Sequence, residues 1–181
     1  MNGSSLRAFV KAVDSLNRAV GQAVAWLTLA MVGATLAVVI LRYAFNAGPA
    51  WLQESVTFMH AAVFMLGGAY TLQRNEHVRV DIFYRSMSPV RRAWTDAAGV
   101  LIFLMPLCGF IIWQSLDYVS ASWMAHERSR DSGGLPYPFV PLLKSMLVGM
   151  PVLLALQGLS LLIASLQTIW RTIRQKTGNK R

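Results

Sequence analysis

Four long stretches without a charged side chain constrain this chain more than any other feature. They cover residues 19–41, 55–72, 97–116 and 145–170. At 1.5 Å per helical residue they reach about 27–39 Å, and the hydrocarbon core of a bilayer is about 30 Å thick. The sequence therefore predicts one all-α, polytopic membrane domain over residues 1–181. We place its four transmembrane helices at about residues 19–42, 54–73, 94–117 and 144–170.

The distribution of basic residues predicts the orientation of the spans. The chain has 17 Lys and Arg, and 13 of them fall in residues 1–22, 73–96 and 171–181. Four spans place these three segments on one side of the membrane, and basic loops favour the cytoplasmic side. We therefore expect both termini in the cytoplasm. The net charge of +9 is then a membrane-topology signal, and no nucleic-acid partner is expected.

The N-terminal segment, residues 1–18, has a helical amphipathic pattern. Its apolar residues recur every three or four positions, with charged residues on the other face. The apolar set is Leu6, Phe9, Val10, Val13 and Leu16, and the charged set is Arg7, Lys11, Asp14 and Arg18. This pattern predicts an interfacial helix on the lipid bilayer or a helix docked on a partner subunit. The basic tail, residues 171–181, is expected to extend into the cytoplasm.

Few polar residues lie in positions that suggest chemistry. His60 is the titratable side chain well inside a span, which indicates a haem ligand, a proton relay or a hydrogen bond to another helix. Haem in a bundle usually needs two facing histidines, and His77 and His126 lie at other depths, so the hydrogen bond is the preferred interpretation. No nucleophile–base pair, phosphate loop or metal-ligand cluster is present. The sequence predicts no catalytic, cofactor or metal site and no enzyme.

Several residues at the span ends have predicted structural roles. Arg42 and Glu54 flank the short connection between the first two spans, where an ion pair or hydrogen-bonded network would fix the hairpin, or a partner subunit would bind. Lys144 is expected to extend toward the outer interface. Ser88-Pro89 has the pattern of a helix N-cap followed by proline at the first helical position. Pro106 and Pro151 lie within spans and predict kinks.

An ordered series of short motifs resembles one transporter family. The motifs are Arg42-Tyr43-Ala44-Phe45-Asn46, Trp51-Leu52-Gln53-Glu54, Gly68-Ala69-Tyr70-Thr71-Leu72 and His77-Val78-Arg79-Val80-Asp81. In this order, and at these topological positions, they resemble the small permease subunit, the DctQ family, of tripartite ATP-independent periplasmic (TRAP) transporters. Further motifs are similar to the branch labelled mannitol or chloroaromatic transport. They are Gly133-Gly134-Leu135-Pro136, Lys144 and Leu156-Gln157-Gly158.

The resemblance implies a subunit of the bacterial inner membrane with two partners. A periplasmic substrate-binding protein would capture a solute, often an organic acid, and a large permease subunit would import it with a sodium gradient. The small subunit would brace the large one. By the same resemblance, Arg42 and Glu54 would order the outer end of the first hairpin, and His77, Arg79 and Asp81 the cytoplasmic junction after the second span.

Two other functions remain open from the sequence. The first is a haem- or quinone-type membrane anchor subunit of a respiratory enzyme. The second is a small transporter that works alone as a homo-oligomer. The transported solute, the stoichiometries and any direct contact with a binding protein cannot be assigned from these residues.

Overall fold

The fold is a set of long helices joined by short connections. A computed structural model of the chain describes residues 3–74, 84 and 86–178, and no β-strand occurs among these residues. The helices are α1 (Gly3–Phe45), α2 (Ala50–Gln73), α3 (Pro89–Gly99), α4 (Met105–Met124) and α5 (Phe139–Gly178), with a π-helical segment at Val100–Leu104 that joins α3 to α4.

Four of these helical stretches are long and apolar enough to cross a bilayer. They are Ser4–Phe45, Ala50–Gln73, Pro89–Met124 and Phe139–Arg174. The predicted all-α, four-span fold is therefore confirmed by helix length and composition. The third of these stretches is longer than the predicted span over 94–117, because it begins after the Ser88 cap and continues to Met124. The loop that follows it and leads to α5, residues 125–138, is called the outer loop below.

The first helix differs from the prediction. A separate interfacial helix was expected over residues 1–18, but α1 is uninterrupted for 43 residues. At 1.5 Å per residue it is about 64 Å long, roughly twice the hydrocarbon thickness. Its N-terminal part is amphipathic as expected, with Val13 buried and Lys11 exposed. The buried face packs within this chain, and the segment continues into the first span without a break; its position at the membrane interface stays a prediction.

The third helix begins where the sequence indicated, and its backbone hydrogen bonding changes near Pro106. The Ser88 hydroxyl accepts a hydrogen bond from the Arg91 amide at 3.4 Å, and Pro89 occupies the first turn, which confirms the predicted cap. The π-helical segment Val100–Leu104 ends two residues before Pro106. Proline has no amide proton and its ring crowds the carbonyl four residues earlier, and a π turn accommodates this. In α5 the helix continues through Pro151 without a break.

Helix α5 lies at the centre of the structure and packs against α1, α2, α3 and α4. In the most apolar 18-residue stretch of α5, 22% of the residues are buried, whereas in that of α1 the share is 6%. Close packing at α5 depends on Gly158, where a Cβ would lie 2.6 Å from Leu104 Cδ2. The helices that surround α5 therefore leave most of their apolar surface facing away from the chain.

Candidate subunit-interface sites

Glu54 attaches the outer loop to the start of α2. Its Oε2 accepts a hydrogen bond from the Leu135 amide at 2.6 Å, and the Ser129 hydroxyl donates to its Oε1. Nearby, the Trp51 amide donates to the Gly133 carbonyl at 3.1 Å. The loop between α4 and α5 is thereby held against the outer end of α2, 75–81 residues away along the chain.

Arg42 does not form the ion pair with Glu54 that the sequence suggested. It is exposed near the end of α1, while both oxygens of Glu54 are engaged by the outer loop. Asn46 instead ends the helix with a left-handed conformation (φ 52°), and the Ala47 amide donates to the Leu41 carbonyl at 2.9 Å. A residue in the left-handed conformation directly after the last helical turn is a common C-cap, and asparagine is one of the residues that adopt it. The turn between α1 and α2 is therefore formed by the backbone, and Arg42 is available to a partner.

Lys144 is held by the protein rather than extended into the interface. Its Nζ lies 2.5 Å from Glu127 Oε2 and 4.0 Å from the centre of the Tyr118 ring. The Ser122 hydroxyl donates to the same Glu127 oxygen at 2.6 Å. The Lys144 side chain is 15% exposed, so its charge is neutralised within the outer loop. This contact joins α4 to the start of α5.

The hydrogen bond from Lys144, then that from Ser122, holds the pKa of Glu127 below its ordinary value. A carboxylate whose pKa is lower in the folded than in the unfolded state stabilises the fold at pH values above the unfolded pKa, which is about 4.3. This stabilisation is lost as the pH falls through the pKa of the folded state. Wild type should therefore exceed Glu127→Gln in thermal midpoint near pH 7, and the difference should shrink below about pH 4. Thermal unfolding in detergent at several pH values measures this.

A control for this prediction removes the other partner. In a chain that already carries Lys144→Met, the Glu127→Gln change should alter the midpoint much less at neutral pH. A difference between wild type and Glu127→Gln that stays constant from pH 7 to pH 3 would show that the ionised carboxylate does not stabilise the fold.

A buried polar cluster joins α1, α2 and α5 near the other end of the molecule. The Asn17 amide donates to Gln157 Oε1 at 2.7 Å, and the Gln157 amide donates to Asp14 Oδ1 at 3.1 Å. The Ser160 hydroxyl lies 3.3 Å from the same carboxylate, and the Gln73 amide donates to the Asp14 carbonyl at 2.9 Å. Asn17 is 1% exposed. We call these five residues the inner polar cluster.

Sequence reasoning missed the inner polar cluster. It placed Asp14 on a charged face with Arg7, Lys11 and Arg18, whereas Asp14 is half-buried against α5. Two signals were present in the sequence. Asn17 lies four residues after Val13, on the apolar face, and Gln157 and Ser160 are three residues apart on an otherwise apolar helix. Residues at these spacings share a helix face, and polar groups there need partners.

His60 is exposed on α2. None of the described residues forms a hydrogen bond with the imidazole, so the preferred interpretation, a hydrogen bond to another helix, stays a prediction. His126 lies in the outer loop with its ring 5.0 Å from that of Tyr137, far from His60 along the chain. His77, Arg79 and Asp81 lie outside the described residues, and their predicted role stays a prediction.

Residues that follow the undescribed segment are tied to the start of α3. The Tyr84 hydroxyl donates to Asp96 Oδ2 at 2.8 Å, and Arg92 Nε lies 3.1 Å from the carbonyl oxygens of Tyr84 and Met87. The Arg92 guanidinium also lies 5.2 Å from the centre of the Tyr84 ring. These contacts attach Tyr84 and Met87 to the first turns of α3.

Comparison with known families identifies this set of helices. A family model described as tripartite ATP-independent periplasmic transporters, DctQ component, matches residues 31–174. The chain belongs to the DctQ family. No curated protein and no solved structure matches it. As a DctQ component, the chain is the small membrane subunit of a TRAP transporter and a multi-pass membrane protein.

The DctQ match covers all of the contacts around Glu54 and Lys144 and part of the inner polar cluster. The matched residues include Glu54, Lys144 and all of the outer loop between them. Asp14 and Asn17 precede the match, whereas Gln157 and Ser160 lie within it. The match is to the DctQ family as a whole, so the resemblance to the mannitol or chloroaromatic branch stays a prediction.

Proposed function

We propose that this DctQ subunit braces the large permease subunit of a sodium-driven TRAP importer in the bacterial inner membrane. A periplasmic binding protein would deliver an organic acid or a similar small polar solute to that permease. The observation that carries the proposal is the family match over residues 31–174, which spans the membrane helices from the last third of α1 onward.

The exposed apolar surface of the chain supports a bracing role. Large side chains on α1, the π-helical segment and α4 point away from the chain, among them Trp26 at 72%, Leu29 at 63%, Phe103 at 73% and Trp113 at 72% exposure. Lipid tails are as apolar as these side chains, so surfaces of this kind accept either lipid or a packed protein helix. A subunit with long helices and a small core of its own has a large exposed apolar surface against which a larger membrane protein can pack.

The polar groups of the described spans support a static role. Self-sufficient secondary transporters place polar groups and broken helices near the membrane midplane. Here α2 and α5 are uninterrupted, and the inner polar cluster uses its polar groups to hold α1, α2 and α5 together. Such an arrangement ties helices to one another and leaves substrate binding to the permease and binding protein.

The proposed orientation has both termini in the cytoplasm. It follows from the basic segments, and it places the outer loop, with Glu54 and Lys144, on the periplasmic side. We propose that this loop, together with the exposed Arg42, faces the binding protein or the outer surface of the permease. His77, Arg79 and Asp81 would then order the cytoplasmic junction after α2.

Co-purification tests the proposal. The chain, tagged and purified gently from its native membrane, should recover a much larger polytopic protein that mass spectrometry identifies as the permease. Recovery of the chain alone would contradict the proposal. The same preparation separates the rivals, because a haem anchor would show a Soret band and a self-contained transporter would support uptake when reconstituted without a partner.

A further inference from the structure

The outward face of α2 carries a polar group at membrane depth. Thr57, His60 and Phe64 are exposed and lie on one side of the helix, spaced three and four residues apart. His60 is six residues inward from Glu54, about 9 Å along the axis, and thirteen residues from Gln73, about 20 Å. From either end of the helix, the imidazole lies inside the hydrocarbon region.

The two polar side chains of this face differ in their hydrogen bonding. The Thr57 hydroxyl lies 3.5 Å from the Gln53 carbonyl of its own helix, so it has an acceptor nearby. His60 forms no hydrogen bond with any described residue. A polar group in hydrocarbon without a partner is costly, and lipid tails provide neither donor nor acceptor. The neighbour of His60 must therefore carry a hydrogen-bonding group.

The surface beside His60 is recessed. A crevice of about 550 Å³ lies between α1, α2 and α5, and Phe64, Gly67 and Gly68 form its α2 side. A Cβ built on either glycine would meet nothing within 4 Å. A helix could approach α2 closely here, with a side chain in the crevice and a polar group one turn away at His60.

We propose that the face of α2 formed by Thr57, His60, Phe64 and Gly67 binds a membrane helix of the large permease, and that this helix carries a hydrogen-bonding side chain opposite His60. The inference rests on the proposed function, which supplies the partner. A lipid acyl chain would fill the crevice but leave the imidazole without a hydrogen bond. A protein helix satisfies both features of the face.

Site-specific cross-linking tests the assignment in the assembled transporter. A photo-reactive amino acid at position 60, in cells that produce all subunits, should give an adduct with the mass of this chain plus the permease. An adduct with a second copy of this chain, or with lipid alone, would overturn the inference. If the wild-type chain recovers the permease but position 60 gives no such adduct, the face is wrong and the proposed function stands. If no permease is recovered, both fail.

Substitution supplies a second readout. His60→Leu should lower recovery of the permease about three- to tenfold, the range that interhelical hydrogen bonds contribute in bilayers. His60→Gln should retain most of it. The thermal midpoint of the isolated chain should be unchanged, because His60 has no hydrogen-bond partner among the residues that the structure describes. Unchanged recovery with His60→Leu would count against the inference.

A matched control uses another exposed polar residue within a span. Gln114 lies on α4, three residues from Asp117, about 4.5 Å along the helix, so its amide can reach the interface. Gln114→Leu should leave permease recovery near the wild-type level. An equal loss with both substitutions would show that general polarity, and not this face of α2, determines binding.

Discussion

Replacing Gly21 by alanine should destabilise the chain, although alanine is the better helix former. A Cβ at position 21 would lie 2.4 Å from Cγ and 2.5 Å from Cβ of Tyr70. Because the Tyr70 Cβ is fixed by its backbone, rotation of the ring cannot relieve the contact, and α1 and α2 must separate. Overpacking of this kind costs about 1–3 kcal/mol, against a gain of about 1 kcal/mol in helix propensity. Larger residues, such as valine, should cost more.

Gly33 in the same helix is the matched control. A Cβ there would meet nothing within 4 Å, so Gly33→Ala should leave the thermal midpoint unchanged or raise it slightly. Thermal unfolding of the purified variants in one detergent measures both. Equal midpoints for Gly21→Ala and Gly33→Ala would contradict the close approach of α1 and α2 at Tyr70.

Gln157→Leu should have the second large effect, because Gln157 connects two other members of the inner polar cluster. Without the Gln157 amide, the Asn17 amide has no acceptor, and Asp14 Oδ1 loses the hydrogen bond that Gln157 donates to it at 3.1 Å. A buried polar group left unpaired costs about 1–3 kcal/mol, so the variant should lose about 2–4 kcal/mol of stability. The reversible unfolding of the chain in mixed micelles measures this loss.

A double-mutant cycle separates pairing from general packing. In wild type, Gln157→Leu leaves the Asn17 amide without an acceptor, and Asn17→Leu removes that amide. Gln157→Leu should therefore lower the free energy of unfolding less in the Asn17→Leu background than in wild type. Gln114→Leu, an exposed change of the same chemistry, should have little effect on the isolated chain. Additive losses from Asn17→Leu and Gln157→Leu would show that the two side chains do not act through their hydrogen bond.

The spans were predictable because lipid imposes a simple rule on sequence. A run of apolar residues long enough to cross the bilayer must be helical, since the backbone can satisfy its hydrogen bonds only within the helix. Local signals placed the start of α3, where Ser88 caps and Pro89 follows. The sequence also contains a signal for the continuity of α1 that the prediction of a helix over residues 1–18 did not use. No proline occurs between residues 3 and 45 to end a helix near residue 18.

The partners of the polar residues were not predictable from local pattern. Glu54 and Arg42 are near neighbours in sequence, yet Glu54 binds Ser129 and Leu135. Asp14 and Gln157 are 143 residues apart. Amphipathic spacing shows which face of a helix is buried and not which helix covers it. The sites therefore depend on how the helices pack around α5, which a single sequence does not state.

Transport measured with and without this chain tests the central claim most directly. The large permease and its binding protein are reconstituted into liposomes under a sodium gradient, and uptake of the solute held by the binding protein is followed. We expect uptake only when the chain is present, with a loss of at least about tenfold without it, equivalent to about 1.4 kcal/mol. Full-rate uptake by the permease and binding protein alone would contradict the bracing role.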